Sequence, residues 1–341
     1  MPDDRIEPSG LDAAALHART LTLDTHVDIP WPAESFTGPR RAGPAKMRAG
    51  ELRAACFAAY IPQGPRTAEG FEQAKDRALA MLAAIRTMGE GEGMRLATTV
   101  AELRGAHAEG RTAVIPCVEN GQALGEDLGL LAEFRRLGAR YMTLCHNGHN
   151  LICDSSNPRA DLGDGPALHG GLSGLGREAV AEMNRLGMLV DISHTSQQTA
   201  LQAIQASRVP VVATHSCVRA LCDVPRNVDD LVLDALRDTE GMVNITAVSS
   251  FVKRSAKPDK VTVGDYVDHI DYVVERCGLA HVGISSDFDG GGYFSGWMDA
   301  SESPNLTAEL VRRGYGAHEI AQLWAGNFLR LLERAEEAAD A

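Results

Sequence analysis

Several of the residue types that bind metals or move protons close short apolar runs in this chain. In LTLDTHVDIP (21–30) a β-prone segment ends on His26, Val27 and Asp28. Side chains at i and i+2 of a strand face the same side, so the imidazole and the carboxylate converge just past the strand end. Such a pair is either a hydrogen-bonded strand terminus or part of a chelate, because polar groups left unpaired there are costly. The ending recurs: Glu119 closes TAVIPCVE, His146 closes YMTLCH, His194 closes GMLVDISH, His215 closes PVVATH and Asp287 closes HVGISSD. Each has a plain structural reading by itself. His215 could be a hydrogen-bonded histidine, Glu119 a salt-bridge partner, His194 a neighbour of a helix cap, and Asp287 or Asp289 a turn former, the reading preferred for Asp289. Taken together they point to a metal site. Imidazole and carboxylate donors with no converging thiolate pair suit Zn²⁺, with Mn²⁺, Co²⁺ or Fe²⁺ as alternatives. One catalytic zinc takes three protein ligands and leaves a position open for water. The set is larger than that. Two ions sharing one carboxylate would use five ligands, and Glu119 is the natural bridge. No lysine ends any of the runs, so a carbamylated-lysine bridge is not available.

Something must hold these groups at one place. Eight apolar, β-like runs are spread along the chain: 21–26, 56–62, 112–119, 141–146, 187–194, 210–215, 241–246 and 281–287. Amphipathic stretches with helical spacing separate most of them, for example at 71–88, 176–187 and 263–278. Near-continuous apolar strands alternating with helices predict a parallel sheet covered on its outer side. Eight units predict an α/β fold of the closed (β/α)8 TIM-barrel type in a single domain, in which strand-end residues meet at the C-terminal mouth. Residues 1–20 read as an N-terminal extension with a helix at 11–20, residues 1–9 as disordered, and 21–341 as the barrel. Pro- and Gly-rich segments at 30–50, 147–175 and 288–305, and a shorter basic one near 253–260, follow strands and are expected over the mouth.

Composition narrows the partners. With 33 Lys and Arg against 46 Asp and Glu, the net charge of −13 argues against nucleic acid and anionic membrane surfaces. Seven cysteines without a C-x-x-C pair form no disulfide framework; most read as small buried hydrophobes, and Cys153 and Cys217 stand near strand ends. MPDDRIEPSG has no apolar signal core and no apolar run approaches membrane-spanning length, so the expectation is a cytoplasmic protein with no membrane partner.

The motifs DTHVDIP, VEN, MTLCHN, DISHTS, ATHS, PRNV and SDFDG, followed by GNFLRLLE, stand in the order found in the membrane (renal) dipeptidases, and the chain resembles that family over nearly its whole length. The resemblance implies one metal held by His26, Asp28 and Glu119 and a second held by Glu119, His194 and His215. It implies that His146 contacts the substrate carbonyl, that Arg226 grips the substrate's terminal carboxylate and that Asp287 moves protons. In the sequence itself, PRNVDDLV places Arg226 just before a helix with Asn227 as the expected N-cap, a favourable setting for an anion. Thr25, Val27 and Asn120 depart from the family's common residues, as do His149 and Cys153 in NGHNLICDSS.

The activity so implied is hydrolysis of dipeptides by a hydroxide bridging two divalent metals, zinc first among them, with a D-residue tolerated on the carboxyl side. Asp287 would take up and return the proton, and Arg226 would set the single peptide bond over the metals. A homodimer is a further family-level expectation. The alternatives are a related metal-dependent amide or lactone hydrolase, and a barrel that binds without catalysis. An aldolase-like barrel would need a phosphate cradle or a Schiff-base lysine, and neither is present.

Overall fold

The structure, a computed structural model, describes residues 11–32 and 40–339. The expectation for residues 1–9 lies outside the described residues. Nine strands form one parallel sheet: β1 (Leu23–Asp28), β2 (Ala54–Tyr60), β3 (Met94–Leu96), β4 (Thr112–Glu119), β5 (Tyr141–Thr143), β6 (Leu189–Asp191), β7 (Val212–Ser216), β8 (Met242–Ile245) and β9 (Val282–Ile284). Eight follow the order β1-β2-β4-β5-β6-β7-β8-β9, and β3 pairs only with β4, off this path. The eight coincide with the eight apolar runs. The three residues of β3, two of them half-buried, carry no apolar run to read. Two backbone hydrogen bonds close the circle: the Asp28 N–H donates to the Phe288 carbonyl at 2.9 Å and the Asp287 N–H to the His26 carbonyl at 3.0 Å. The fold is a single-domain (β/α)8 barrel, and its seam lies at the site residues.

Helices cover the outside where the amphipathic stretches predict them, at Ala68–Met88, Gly174–Arg185 and Val263–Cys277. The first buries Ala74, Ala78, Met81, Leu82 and Ile85 along one stripe against the sheet. Burial of each of the larger side chains contributes about 1.5–3 kcal/mol. The third starts on a capping box in which the Asp265 N–H donates to Thr262 Oγ1 at 3.2 Å and the Thr262 N–H to Asp265 Oδ2 at 2.9 Å. At the N-terminal end of the strands, Leu23, Ala54, Ala113 and Met242 pack with Phe328 and Leu332 of the helix Asn327–Ala338, which plugs the barrel opposite the site. The helix Ala13–Arg19 is tied on by His17, whose ring nitrogens meet Thr307 Oγ1 at 2.6 Å and the Gly50 carbonyl at 2.9 Å. Among the described residues no helix is long and apolar enough to cross a membrane. All seven cysteines are buried and free, and burial pushes the Cys153 and Cys217 thiols up, so both read as packing residues.

Candidate metal centre

The strand ladders stop earlier than the apolar runs. β5 ends at Thr143, β6 at Asp191 and β9 at Ile284, so His146, His194 and Asp287 each lie three residues beyond a ladder. His26, Asp28, Glu119 and His215 are themselves strand residues. The chain swings the extra residues inward through positive φ, +67° at His194 and +61° at Asp287, and Asn120 turns the backbone after Glu119 at +91°. Non-glycine residues in such conformations cost on the order of 1–3 kcal/mol each and persist where surrounding contacts impose them. At Asn120 those contacts are explicit. Its Nδ2 donates to the Ile61 carbonyl at 3.0 Å and to Gln63 Oε1 at 3.2 Å, and its Oδ1 accepts from the Gln122 N–H at 3.0 Å and from Asn150 Nδ2 at 3.2 Å.

The seven polar groups converge around Glu119. Glu119 Oε1 lies 3.1 Å from His194 Nε2, 3.5 Å from His215 Nε2 and 3.9 Å from His146 Nε2. Its Oε2 lies 3.5 Å from His26 Nε2, which is also 3.5 Å from Asp28 Oδ1. Three overlapping triads of donor atoms result: His26, Glu119 and His215; Glu119, His146 and His194; and His26, Asp28 and Asp287, with the atoms of each triad within 4.8 Å of one another. The second triad includes His146, which the sequence reading places against substrate. At 19% side-chain exposure His146 is the most open of the four imidazoles and lines the cavity above them.

The hydrogen-bond chains behind the imidazoles decide which nitrogen faces the centre. Tyr141 Oη donates to the Thr25 carbonyl at 2.9 Å, so its oxygen accepts from His26 Nδ1–H at 2.8 Å and leaves Nε2 as the nitrogen facing inward. Thr214 Oγ1 donates to Asp191 Oδ2 at 2.6 Å and therefore accepts from His215 Nδ1–H at 2.9 Å, with the same result. Asp191 is buried and saturated: it also accepts from Thr143 Oγ1 at 2.6 Å and from the Ser193 and Thr214 N–H groups at 2.9 and 3.0 Å. Such partners fix the tautomer of a ligating histidine and raise its basicity. Tyr141, Asp191 and Thr214 are absent from the sequence-derived list, although Asp191 and Thr214 stand inside DISHTS and ATHS.

Protonation follows from crowding and burial. Burial, then the cationic Arg226, pushes His146 down to about 3, and burial holds His194 and His215 well below the ordinary histidine value. His26 goes the other way: burial opposes its charge, but Glu119 and Asp28 outweigh that and hold it well above 6.5. Burial raises Glu119, and it raises Asp287 far above the carboxylate range, with Asp28 and Glu119 adding to the push. These carboxyls and imidazoles compete for the same protons within one buried cluster.

The donors fit a divalent metal. His26 Nε2 and Asp28 Oδ1 are buried without a hydrogen-bond partner and face each other across 3.5 Å. Uncompensated, they cost about 1–3 kcal/mol apiece or more. A cation satisfies both at once, and its binding displaces protons from the neighbouring ligands. Nitrogen and oxygen donors without thiolate match zinc and its first-row neighbours.

One expectation is overturned beside the centre. The helix after PRNV is Asp230–Asp238, and its N-cap is Asp229, whose Oδ1 accepts from the Leu231 and Val232 N–H groups at 3.1 Å each. Asn227 is no cap. It ties the loop, with Nδ2 donating to the Cys222 carbonyl at 2.9 Å and the Phe251 carbonyl at 2.8 Å, so Arg226 gains nothing from a helix terminus. Asp229 wins because a carboxylate two residues closer to the apolar stripe of Val232, Leu233 and Leu236 caps it directly. Arg226 is instead aimed by Nη1 donating to Ser216 Oγ at 2.9 Å and Nη2 to the His215 carbonyl at 2.8 Å. It is buried, its Nε has no hydrogen-bond partner, and no carboxylate among the described residues forms an ion pair with it. A buried guanidinium in that state calls for an anion.

Above the centre lies a cavity of about 450 Å³, lined by Asp28, Glu119, His146, His194, Arg226 and Asp287, with Trp31, Tyr60 and Phe251 among the apolar groups. Asp289 stands at its rim as the turn former expected, accepting from the Arg41 N–H at 2.8 Å and the Ala42 N–H at 3.3 Å. His149 braces the loop over the mouth through the Ser155 N–H at 3.1 Å and the Gly165 carbonyl at 3.0 Å and does not reach the cavity lining.

The sequence profile of the membrane dipeptidases, peptidase family M19, matches residues 11–341. The chain belongs to that family. A dipeptidase from Clonostachys rogersoniana, verJ, is 39% identical over 245 residues, 72% of this chain and 61% of its own length. The chain spans 52% to 61% of the length of the curated fungal dipeptidases it matches. Among solved structures, the probable dipeptidase PvdM from Pseudomonas aeruginosa superposes with a TM-score of 0.89 at 29% identity, covering 96% of this chain and 98% of that one. A metallo peptidase from Rhodobacter sphaeroides, liganded with a phosphinate mimic of the dipeptide L-Ala-D-Ala, gives 0.82 at 27% identity, with 93% and 99% covered. The family motifs DTHVDIP, VEN, MTLCHN, DISHTS, ATHS, PRNV and SDFDG carry the side chains of the centre and of the cavity above it, and GNFLRLLE lies in the helix that plugs the opposite end.

Proposed function

We propose that this family member is a metal-dependent dipeptidase. The observation that carries the reading is the convergence of imidazoles and carboxylates on Glu119, with His26 Nε2 and Asp28 Oδ1 buried without a hydrogen-bond partner, beside an Arg226 guanidinium that forms no ion pair among the described residues. In this reading His26, Asp28 and Glu119 hold one divalent ion, and Glu119, His194 and His215 a second, with zinc the metal best matched by the donors. When bound, the metals supply a water nucleophile at neutral pH and a Lewis acid for the scissile carbonyl.

The chain's own groups do the rest. Arg226 pairs with the substrate's terminal carboxylate and sets one peptide bond over Glu119, so a longer peptide fails on geometry. Neutral His146 donates its N–H to the carbonyl oxygen as charge develops there, a contribution of about 3 kcal/mol for one such donor. Asp287, beside His26 at the barrel seam, accepts the proton of the attacking water and returns it to the leaving amine. Acceptance of a D-residue on the carboxyl side belongs to the proposal and is supported by the ligand of the Rhodobacter relative. A cytoplasmic location and a homodimer complete it, to be read by cell fractionation and sedimentation.

The test is a panel of L-L and L-D dipeptides, tripeptides and N-acyl amino acids assayed before and after chelation and zinc return. Turnover of dipeptides alone, lost with the chelator and restored by zinc, is expected. Chelator-resistant turnover, or N-acyl amino acids preferred, would overturn the reading.

A further inference from the structure

We infer that Arg77 makes the cavity selective for dipeptides whose amino-side residue carries an acidic side chain. The inference rests on the dipeptidase reading above and adds the substrate class. Among the described residues lining the cavity, Arg77 and Arg226 are the two arginines. They stand on opposite walls. Arg226 follows β7, and Arg77 reaches the mouth beside the end of β2; in the order β1-β2-β4-β5-β6-β7-β8-β9 these strands are four steps apart in either direction.

Arg77 lies on the outer helix Ala68–Met88 but turns toward the mouth, where its Nε donates to the Tyr60 carbonyl at 3.0 Å. That bond fixes the plane of the guanidinium, whose centre is 5.9 Å from the Tyr60 ring centroid. Its two terminal amino groups have no hydrogen-bond or ion-pair partner among the described residues. The Tyr60 ring packs edge-on against His146 at 4.9 Å. Arg77 is therefore one side chain away from the group proposed to hold the scissile carbonyl, on the side away from Arg226. That carbonyl belongs to the amino-side residue of a dipeptide. With the carboxyl end held at Arg226, the amino-side side chain is directed to the Tyr60 and Arg77 wall.

The wall itself makes the choice of ligand. In the dipeptidase reading Asp28 and Glu119 are engaged by the ions, so the charge presented on the Tyr60 side is that of Arg77. A planar guanidinium held by its Nε, with both terminal amino groups turned to no partner among the described residues, is suited to receive a second substrate carboxylate bidentately. A lysine or arginine side chain in the same place meets like charge at close range, and a neutral one leaves the donors to water.

The test measures kcat/KM of the zinc-loaded protein for Glu-Ala, Gln-Ala, Ala-Glu, Ala-Gln and Ala-Ala, in the wild type, Arg77→Met and Arg77→Lys. Wild type is expected to favour Glu-Ala over Gln-Ala by about ten-fold. That ratio falls to near one in Arg77→Met and stays intermediate in Arg77→Lys, whatever the overall rate of each variant. A wild-type ratio near one, a ratio kept in Arg77→Met, or an acidic preference confined to Ala-Glu over Ala-Gln overturns the inference while leaving the dipeptidase reading intact. Absence of turnover for every dipeptide, Ala-Ala included, overturns the dipeptidase reading. Calorimetric binding of phosphinate mimics of Glu-Ala and Gln-Ala then decides Arg77 separately: a ten-fold difference lost in Arg77→Met supports its role, and equal affinities refute it.

Discussion

The chain from Asp191 through Thr214 to His215 makes a prediction that separates metal binding from folding. Thr214→Val keeps the shape of the side chain and removes the oxygen that accepts from His215 Nδ1–H at 2.9 Å. The ring is then free to turn or to change tautomer, and its Nε2 lone pair is no longer held toward Glu119, 3.5 Å away. Loss of such an orienting partner lowers metal affinity by about 10–100-fold, or roughly 1.4–2.7 kcal/mol. Asp191 also loses one of the two hydroxyl donors to its Oδ2, both at 2.6 Å, at a cost in stability of about 1.5–3 kcal/mol for a bond to a charged group. Thr143→Val removes the other donor and leaves His215 oriented, so it controls for that second effect. Competition against a chelator of known zinc affinity, paired with urea unfolding of the metal-free proteins, reads both quantities. Thr214→Val should lose stability and zinc affinity, and Thr143→Val stability alone. Equal zinc affinities for Thr214→Val and wild type, or an equal loss in both variants, would refute the reasoning.

Asp287→Asn should retain its zinc content and lose at least about 10²-fold in kcat, because the amide cannot carry the proton; a normal rate would remove Asp287 from the mechanism. Wild type should prefer a dipeptide to its C-terminal amide by about 10²-fold, and Arg226→Met should abolish that preference, since the carboxylate has lost its cation; a preference that survives the substitution would move the carboxylate elsewhere. His146, pushed down to about 3 by burial and then by Arg226, binds fewer protons folded than unfolded between that value and 6.5. Its contribution to stability is therefore complete above 6.5 and is lost as pH falls toward 3. Metal-free wild type should lose about 1.4 kcal/mol of unfolding free energy relative to His146→Gln for each pH unit below 6.5; parallel curves for the two proteins would contradict the shift.

The barrel was legible because its strands are buried on both faces, so β2 and β4 read as unbroken apolar runs. The site was legible for a related reason: a barrel gathers strand ends, and imidazoles or carboxylates at six of eight such ends have no part in a core. Periodicity could not show that three of those residues lie past the ladders, because His194 and Asp287 enter through positive φ, which depends on loop contacts distant in sequence. The same limit explains the misplaced cap. Asn227 and Asp229 are both good N-cap residues, and only the tertiary bonds of Asn227 to the Cys222 and Phe251 carbonyls remove it from that role. Tyr141 acts through one hydrogen bond on His26, distant in sequence, Thr214 through one on its neighbour His215, and Arg77 sits within an amphipathic helix as an ordinary surface arginine would. Nothing in their spacing marks them.

Anomalous diffraction at the zinc absorption edge from zinc-loaded crystals shows whether two cations share Glu119. Two peaks are expected, one touching His26 and Asp28, the other His194 and His215, with Glu119 contacting both. A map without a peak among these side chains, or with a single ion that Glu119 does not touch, would contradict that sharing.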